Sequence, residues 1–127
     1  MSDAKKILLV DDDPMIVRMY QRKLEHDGFT VMLAFNGEEG LAAVKKVKPD
    51  IILLDIMMPK KNGIDTLKEL KADKTTADIP VIILTNLGDR PEDVDKAKQL
   101  GAVDYLVKAN ISLGDLVKKI KDTLAKE

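Results

Sequence analysis

Five short apolar runs constrain this chain more than any other feature. They are Ile7–Val10, Val31–Ala34, Ile51–Leu54, Val81–Leu84 and Val103–Val107, the last broken only by Asp104. Residues apolar at consecutive positions belong to strands covered on both faces, as in parallel sheets. A polar segment with helical spacing follows each run, and its ends carry helix punctuation. Asp13-Pro14 opens the first segment and Gly28 closes it; Asn36 and Glu39 have capping-box spacing; Pro91 opens a segment that Gly101 closes; Ser112 caps the last. Five strand-then-helix units predict an α/β doubly wound fold, a parallel sheet with helices on both faces. At 127 residues the chain is one domain's length, and residues 1–127 are read as a single domain.

Composition removes several function classes. Lys and Arg number 21 against 22 Asp and Glu, and aromatics are 3%. That balance supplies neither the basic surface nor the stacking platform of a nucleic-acid binder. Without cysteine there is no disulfide, thiolate metal site or cysteine nucleophile, and one histidine, His26, is too few for a histidine metal cluster. His26 falls near the end of the first helical segment, where a C-terminal cation role is the default. No apolar run approaches the ~20 residues of a membrane span or the core of a signal peptide. The expected location is the cytoplasm, with no membrane or nucleic-acid partner.

Open α/β sheets bind ligands beyond the carboxyl ends of their strands, near the switch in strand order. Beyond these runs stand Asp11-Asp12-Asp13, Asp55, Thr85 and Lys108. With the first and third strands adjacent, Asp11, Asp12 and Asp55 share one crevice. Two carboxylates ~4 Å apart repel by about 4 kcal/mol at an effective dielectric of ~20, so three need a cation or a raised pKa. An all-oxygen donor set suits Mg²⁺. Asp13, before Pro14, reads as a helix cap. Taken singly, Thr85 is an ordinary strand residue and Lys108 a solvated one. Beside a cation, a hydroxyl and an ammonium match the needs of phosphoryl oxygens. A carboxylate can be the nucleophile, giving an acyl phosphate, and Asp55 directly follows four apolar residues.

Ile7-Leu8-Leu9-Val10-Asp11-Asp12-Asp13-Pro14, Leu53-Leu54-Asp55-Ile56-Met57-Met58-Pro59, Gly63, Thr85 and Val107-Lys108 together resemble the receiver domains of two-component response regulators. The resemblance implies a flavodoxin-like (βα)5 fold with its five-stranded sheet in the order 2-1-3-4-5. It implies Asp55 as phosphoacceptor and Mg²⁺ held by Asp11, Asp12, Asp55 and the backbone carbonyl of Met57. Thr85 and Lys108 would bind the phosphoryl group, with Thr85 and Tyr105 as the switch pair. The implied function is a stand-alone receiver with no effector domain, a signalling switch rather than an enzyme, although it assists its own phosphorylation and dephosphorylation. A histidine kinase or histidine phosphotransfer protein would supply the phosphoryl group in a phosphorelay. A downstream protein would read the result, with the receiver a monomer or a phosphorylation-dependent dimer.

Three positions depart from the family pattern. Ala109 follows the lysine where proline in a cis bond is usual, Asn86 follows Thr85 where a small residue is usual, and Asn62 replaces an acid before Gly63. Asn62 reads as turn chemistry. The side chains expected to flank the water path to an acyl phosphate, Met57 and Leu87, are apolar, which predicts slow self-dephosphorylation. On the first helix Val17, Tyr20 and Leu24 form the predicted core stripe, while Met15 and Met19, with Ile16 beside them, form a second stripe open to docking or burial. Asp93, Asp95, Lys96, Lys118, Lys119 and Lys121 offer another surface, for a partner, self-pairing or simple solvation.

Rival readings compete with this one. A mononucleotide binder on the same fold needs a Ser/Thr/Gly-rich cradle where Asp11-Asp12-Asp13 stands. A phosphatase of the haloacid dehalogenase kind needs an acid where Met57 stands. A receiver that folds but takes no phosphate is favoured only by Ala109 and Asn86.

Overall fold

The computed structural model describes residues 4–58, 62–86, 88 and 90–126. Strands β1 (Lys6–Val10), β2 (Thr30–Ala34), β3 (Ile51–Leu54), β4 (Val81–Thr85) and β5 (Asp104–Val107) alternate with helices. These are α1 (Pro14–His26), α2 (Gly37–Lys46), α3 (Gly63–Ala72), α4 (Pro91–Gln99) and α5 (Leu113–Ala125), and a 3₁₀ turn, Lys108–Asn110, leads from β5 towards α5. The strands pair in parallel in the order β2-β1-β3-β4-β5, the flavodoxin-like order that the resemblance implies.

The period of two along a strand sorts the apolar runs between two cores. Leu8, Val10, Ile52, Leu54, Val81 and Ile83 pack with Val44 of α2, Leu67 and Leu70 of α3 and Ala97 of α4. Ile7, Leu9, Ile51, Leu53, Ile82 and Leu84 pack with Val17, Tyr20 and Leu24 of α1 and Leu116, Val117 and Ile120 of α5. Cover on both faces, expected for most runs, is complete for the inner strands β3 and β4 and for β1 beyond Lys6. The outer strands β2 and β5 are only partly buried, since each has one neighbour instead of two.

Capping follows the sequence, with two differences. Asp13 accepts from the backbone N–H groups of Met15 (3.0 Å) and Ile16 (3.3 Å), and Ser112 accepts from Asp115 at 3.1 Å. Asn36 accepts from Glu39 N–H at 2.9 Å, but the Glu39 carboxylate reaches back to the N–H of Phe35, one residue before the cap. Asn62, read as a turn residue, is the cap of α3 and accepts from Asp65 N–H at 2.9 Å. Gly28 and Gly101 end their helices at φ +96° and +109°, in the left-handed region.

Gly63 fixes α3 against the site. A Cβ there would lie 2.1 Å from the carbonyl oxygen of Asp55, and the Gly63 N–H donates to Ile56 at 2.9 Å. Only a residue without a side chain fits so close to another backbone. Pro59, part of the family string, lies outside the described residues.

Candidate functional site

The ladder continues one residue past β1 and β3. Val10 pairs with Leu54, the N–H of Asp55 donates to Val10 O and that of Asp11 to Ala34 O, each at 3.0 Å. Asp11 and Asp55 are therefore side by side, in the parity of Leu9 and Leu53, towards the face covered by α1 and α5. Both are buried, whereas Asp12, of opposite parity, is exposed. Carboxylate oxygens of all three lie within 4.8 Å of one another. At that separation, two charges repel by about 3 kcal/mol at an effective dielectric of ~20.

Lys108 offsets part of this repulsion. It follows β5 in the parity of Leu106, and its Nζ donates to Asp11 Oδ2 and, at 3.3 Å, to Asp55 Oδ2. The Lys108–Ala109 bond is trans, as every described peptide bond is. The ammonium reaches the acids from the 3₁₀ turn, so the position where proline is usual does not keep it from the site. Burial pushes the Lys108 pKa down, but its bond to Asp11 and the charges of Asp55 and Asp11 outweigh that and raise it above the ordinary value. Asp11 is also raised: burial disfavours its charge more than Lys108 and the N–H of Asp13 favour it. Asp13 thus has a second duty besides capping. Its N–H donates to Asp11 Oδ1 at 3.0 Å, a short-range turn that the spacing of acids in Asp11-Asp12-Asp13 could have signalled.

The donor set fits a hard divalent cation. Three carboxylates converge with oxygen donors only, around a net charge that one ammonium leaves negative. The N–H of Met57 donates to Asp55 Oδ1 at 3.3 Å, holding the backbone of Met57 beside the acid, and its side chain is exposed.

The remaining predicted residues occupy the neighbouring strands. Thr85 is fully buried at the end of β4, in register with Val107 and in the parity of Ile83. Tyr105, buried on β5 in the cluster that includes Ile83, donates its hydroxyl to Gly88 O at 2.9 Å. Sequence reasoning gave no sign of this acceptor, because a backbone carbonyl carries no residue signature. Asn86 is exposed, and Leu87 lies outside the described residues. On α1, Val17, Tyr20 and Leu24 are buried as expected, while Met15 and Met19 are 82% and 47% exposed.

A parallel sheet in this order, with acids and a lysine gathered at its carboxyl edge, matches one family throughout. Residues 7–121 match the response regulator receiver domain, and the chain belongs to that family. Receiver domains interact with histidine kinases or phosphotransfer proteins. The transcriptional regulatory protein CpxR of Klebsiella pneumoniae is 48% identical over 103 residues, 81% of this chain and 42% of CpxR. The chain thus spans about two fifths of the length of that relative. Protein PilH of Pseudomonas aeruginosa is 39% identical over 122 residues, 94% of this chain and 98% of PilH. Among solved structures, chemotaxis protein CheY4 of Vibrio cholerae aligns with a TM-score of 0.87 and 30% identity over 94% of this chain and 98% of that one. The receiver domain of Francisella response regulator 1452 aligns at 0.87 and 34%, covering 96% and 98%. No helix among the described residues is long and apolar enough to cross a membrane.

Proposed function

We propose that this receiver takes a phosphoryl group from a phosphohistidine donor onto Asp55 and thereby changes its affinity for a protein partner. The carrying observation is a pair of buried carboxylates on adjacent strand ends sharing one buried ammonium. Isolated carboxylates would not remain there without compensation, and a cation-compensated carboxylate is a usable nucleophile. The phosphorus–nitrogen bond of the donor breaks as a bond forms from phosphorus to an Asp55 carboxylate oxygen. The electron pair of the broken bond returns to the imidazole. Lys108 leaves Asp11 for an oxygen of the arriving phosphoryl group, and the Thr85 hydroxyl donates to another. Asp11, Asp12, Asp55 and the Met57 carbonyl would hold Mg²⁺, which supplies neutralisation of the phosphoryl oxygens when bound.

Tyr105 and Met57 govern the output and lifetime of the phosphorylated state. The Tyr105 hydroxyl is bonded to Gly88, so a movement of Thr85 would reach the partner surface through β4, Gly88 and Tyr105. The apolar Met57 side chain gives water no orienting group, which favours slow hydrolysis of the acyl phosphate. The donor would dock over exposed Met15 and Met19, and the reaction would run in the cytoplasm, where nucleotide can recharge a kinase.

The test is intact mass after incubation with Mg²⁺ and a small acyl-phosphate donor. One added phosphoryl group is expected on the wild type, with none on Asp55→Asn and none in excess chelator. Labelling of Asp55→Asn to the wild-type extent would refute the assignment.

A further inference from the structure

A second surface on α1 has features that phosphoryl transfer does not use. Between α1 and β2 runs a groove of about 490 Å³, lined by Pro14, Val17, Gln21, Leu33 and Phe35 and by three charged residues, Arg18, Arg22 and Glu25, which leave it net positive. Phe35 is 39% exposed at the end of β2, and its backbone is held by the Glu39 carboxylate at 2.9 Å. It is an exposed aromatic on a fixed backbone rather than on a swinging loop. Arg18 and Arg22 are exposed, one turn apart, and neither has an ion-pair partner among the described residues. On their own helix Arg18 has Arg22 at i+4, and Arg22 has Glu25 at i+3, whose carboxylate accepts from Gln21 at 3.4 Å and forms no ion pair with the arginine among the described residues. Like charges one turn apart oppose helix formation and attract a carboxylate from outside.

We propose that this groove binds an acidic amphipathic helix of a protein partner. Two carboxylates one turn apart on that helix have the same rise of ~6 Å as Arg18 and Arg22 and can meet both together. An apolar side chain between them would enter beside Phe35 and Leu33, as in helix-in-groove recognition. Met15 and Met19 are not among the residues that line the groove, so the apolar part of this contact, at Leu33 and Phe35, is distinct from the one proposed for the donor.

The experiment uses the full chain and a fluorescent synthetic helix carrying glutamate pairs one turn apart beside a leucine stripe. A version with glutamine at those positions is the control. Anisotropy should show the glutamate helix bound and the glutamine helix bound on the order of tenfold more weakly. Arg18→Glu with Arg22→Glu should lose binding by about tenfold or more, and Phe35→Ala by roughly fivefold. Amide shifts on titration should fall on α1 and residues 30–35, and Asp55→Asn should bind the helix like wild type. Both groove variants should still accept phosphate from the acyl-phosphate donor, which separates this proposal from the phosphoacceptor reading. Equal binding of the two helices, shifts elsewhere, no binding at millimolar peptide, or self-association through this face would each overturn it.

Discussion

The sheet carries a lysine–aspartate pair at each of its ends, and the two behave as opposites. At the carboxyl edge Lys108 and Asp11 are 6% and 2% exposed in their side chains. At the amino edge Lys48 and Asp78, just before β3 and β4, meet at 3.2 Å with 55% and 73% exposure. The bond from Lys48 lowers the Asp78 pKa, and solvent screens what the pair could contribute. Burial instead raises the Asp11 pKa. The same two functional groups thus make a surface decoration at one end and a compensated, exchangeable charge cluster at the other. Burial, not pairing, makes the difference.

The largest expected effect comes from the backbone that supports the carboxyl edge. Gly63→Ala would push a methyl group into the Asp55 carbonyl, which cannot rotate away. We expect a loss of about 4 kcal/mol in urea unfolding, above the usual range for overpacking. Gly40 and Gly101 are held less tightly: a Cβ at either would come no closer than 3.2 Å to its neighbours.

Next is the contrast between the lysines. Lys108→Met should cost about 3 kcal/mol at neutral pH without metal, because two buried carboxylates lose their cation. Lys48→Met should lower the urea midpoint far less, because solvent screens the pair it breaks. Similar shifts for both variants would remove the distinction drawn between the two ends.

A smaller effect separates the two aspartates by sign. Asp78 has a lowered folded pKa, so its contribution is present above the unfolded value of 3.8 and is lost as pH falls through the folded one. Asp11 has a raised folded pKa, so its charge costs stability above that pKa and nothing below 3.8. Asp11→Asn should therefore be more stable than wild type at neutral pH, with the advantage fading as the pH is lowered towards 3.8. Asp78→Asn should be the less stable at neutral pH and converge on wild type below 3.8. Chemical denaturation in chelator at a series of pH values checks both.

Much of this was legible in the residues. Apolar runs located all five strands, the last despite Asp104, and the caps Asp13, Asn36 and Ser112 located three of the five helix starts, because both signals are local. The order of the strands came from family resemblance, since apolar runs do not say which neighbours pair. The acids at the ends of β1 and β3 could be named from sequence, but not the choice of Asp11 as the leading partner of Lys108. That choice depends on the turn at Lys108–Asn110 and on strand parity, which are tertiary facts. Asn62 was misread as a turn residue because turns and helix caps favour the same short polar side chains. The exposure of Met15 and Met19 was open for a related reason: methionine at helical spacing suits both a core and a docking face.

The most direct test of an exchangeable cluster is a calorimetric Mg²⁺ titration of wild type, Lys108→Met and Lys48→Met. If Mg²⁺ replaces the ammonium between the acids, Lys108→Met should bind it on the order of tenfold more tightly, consistent with removing one charge a few ångströms away in a partly solvated site. Lys48→Met should match wild type. Unchanged or weaker Mg²⁺ binding by Lys108→Met would contradict the account.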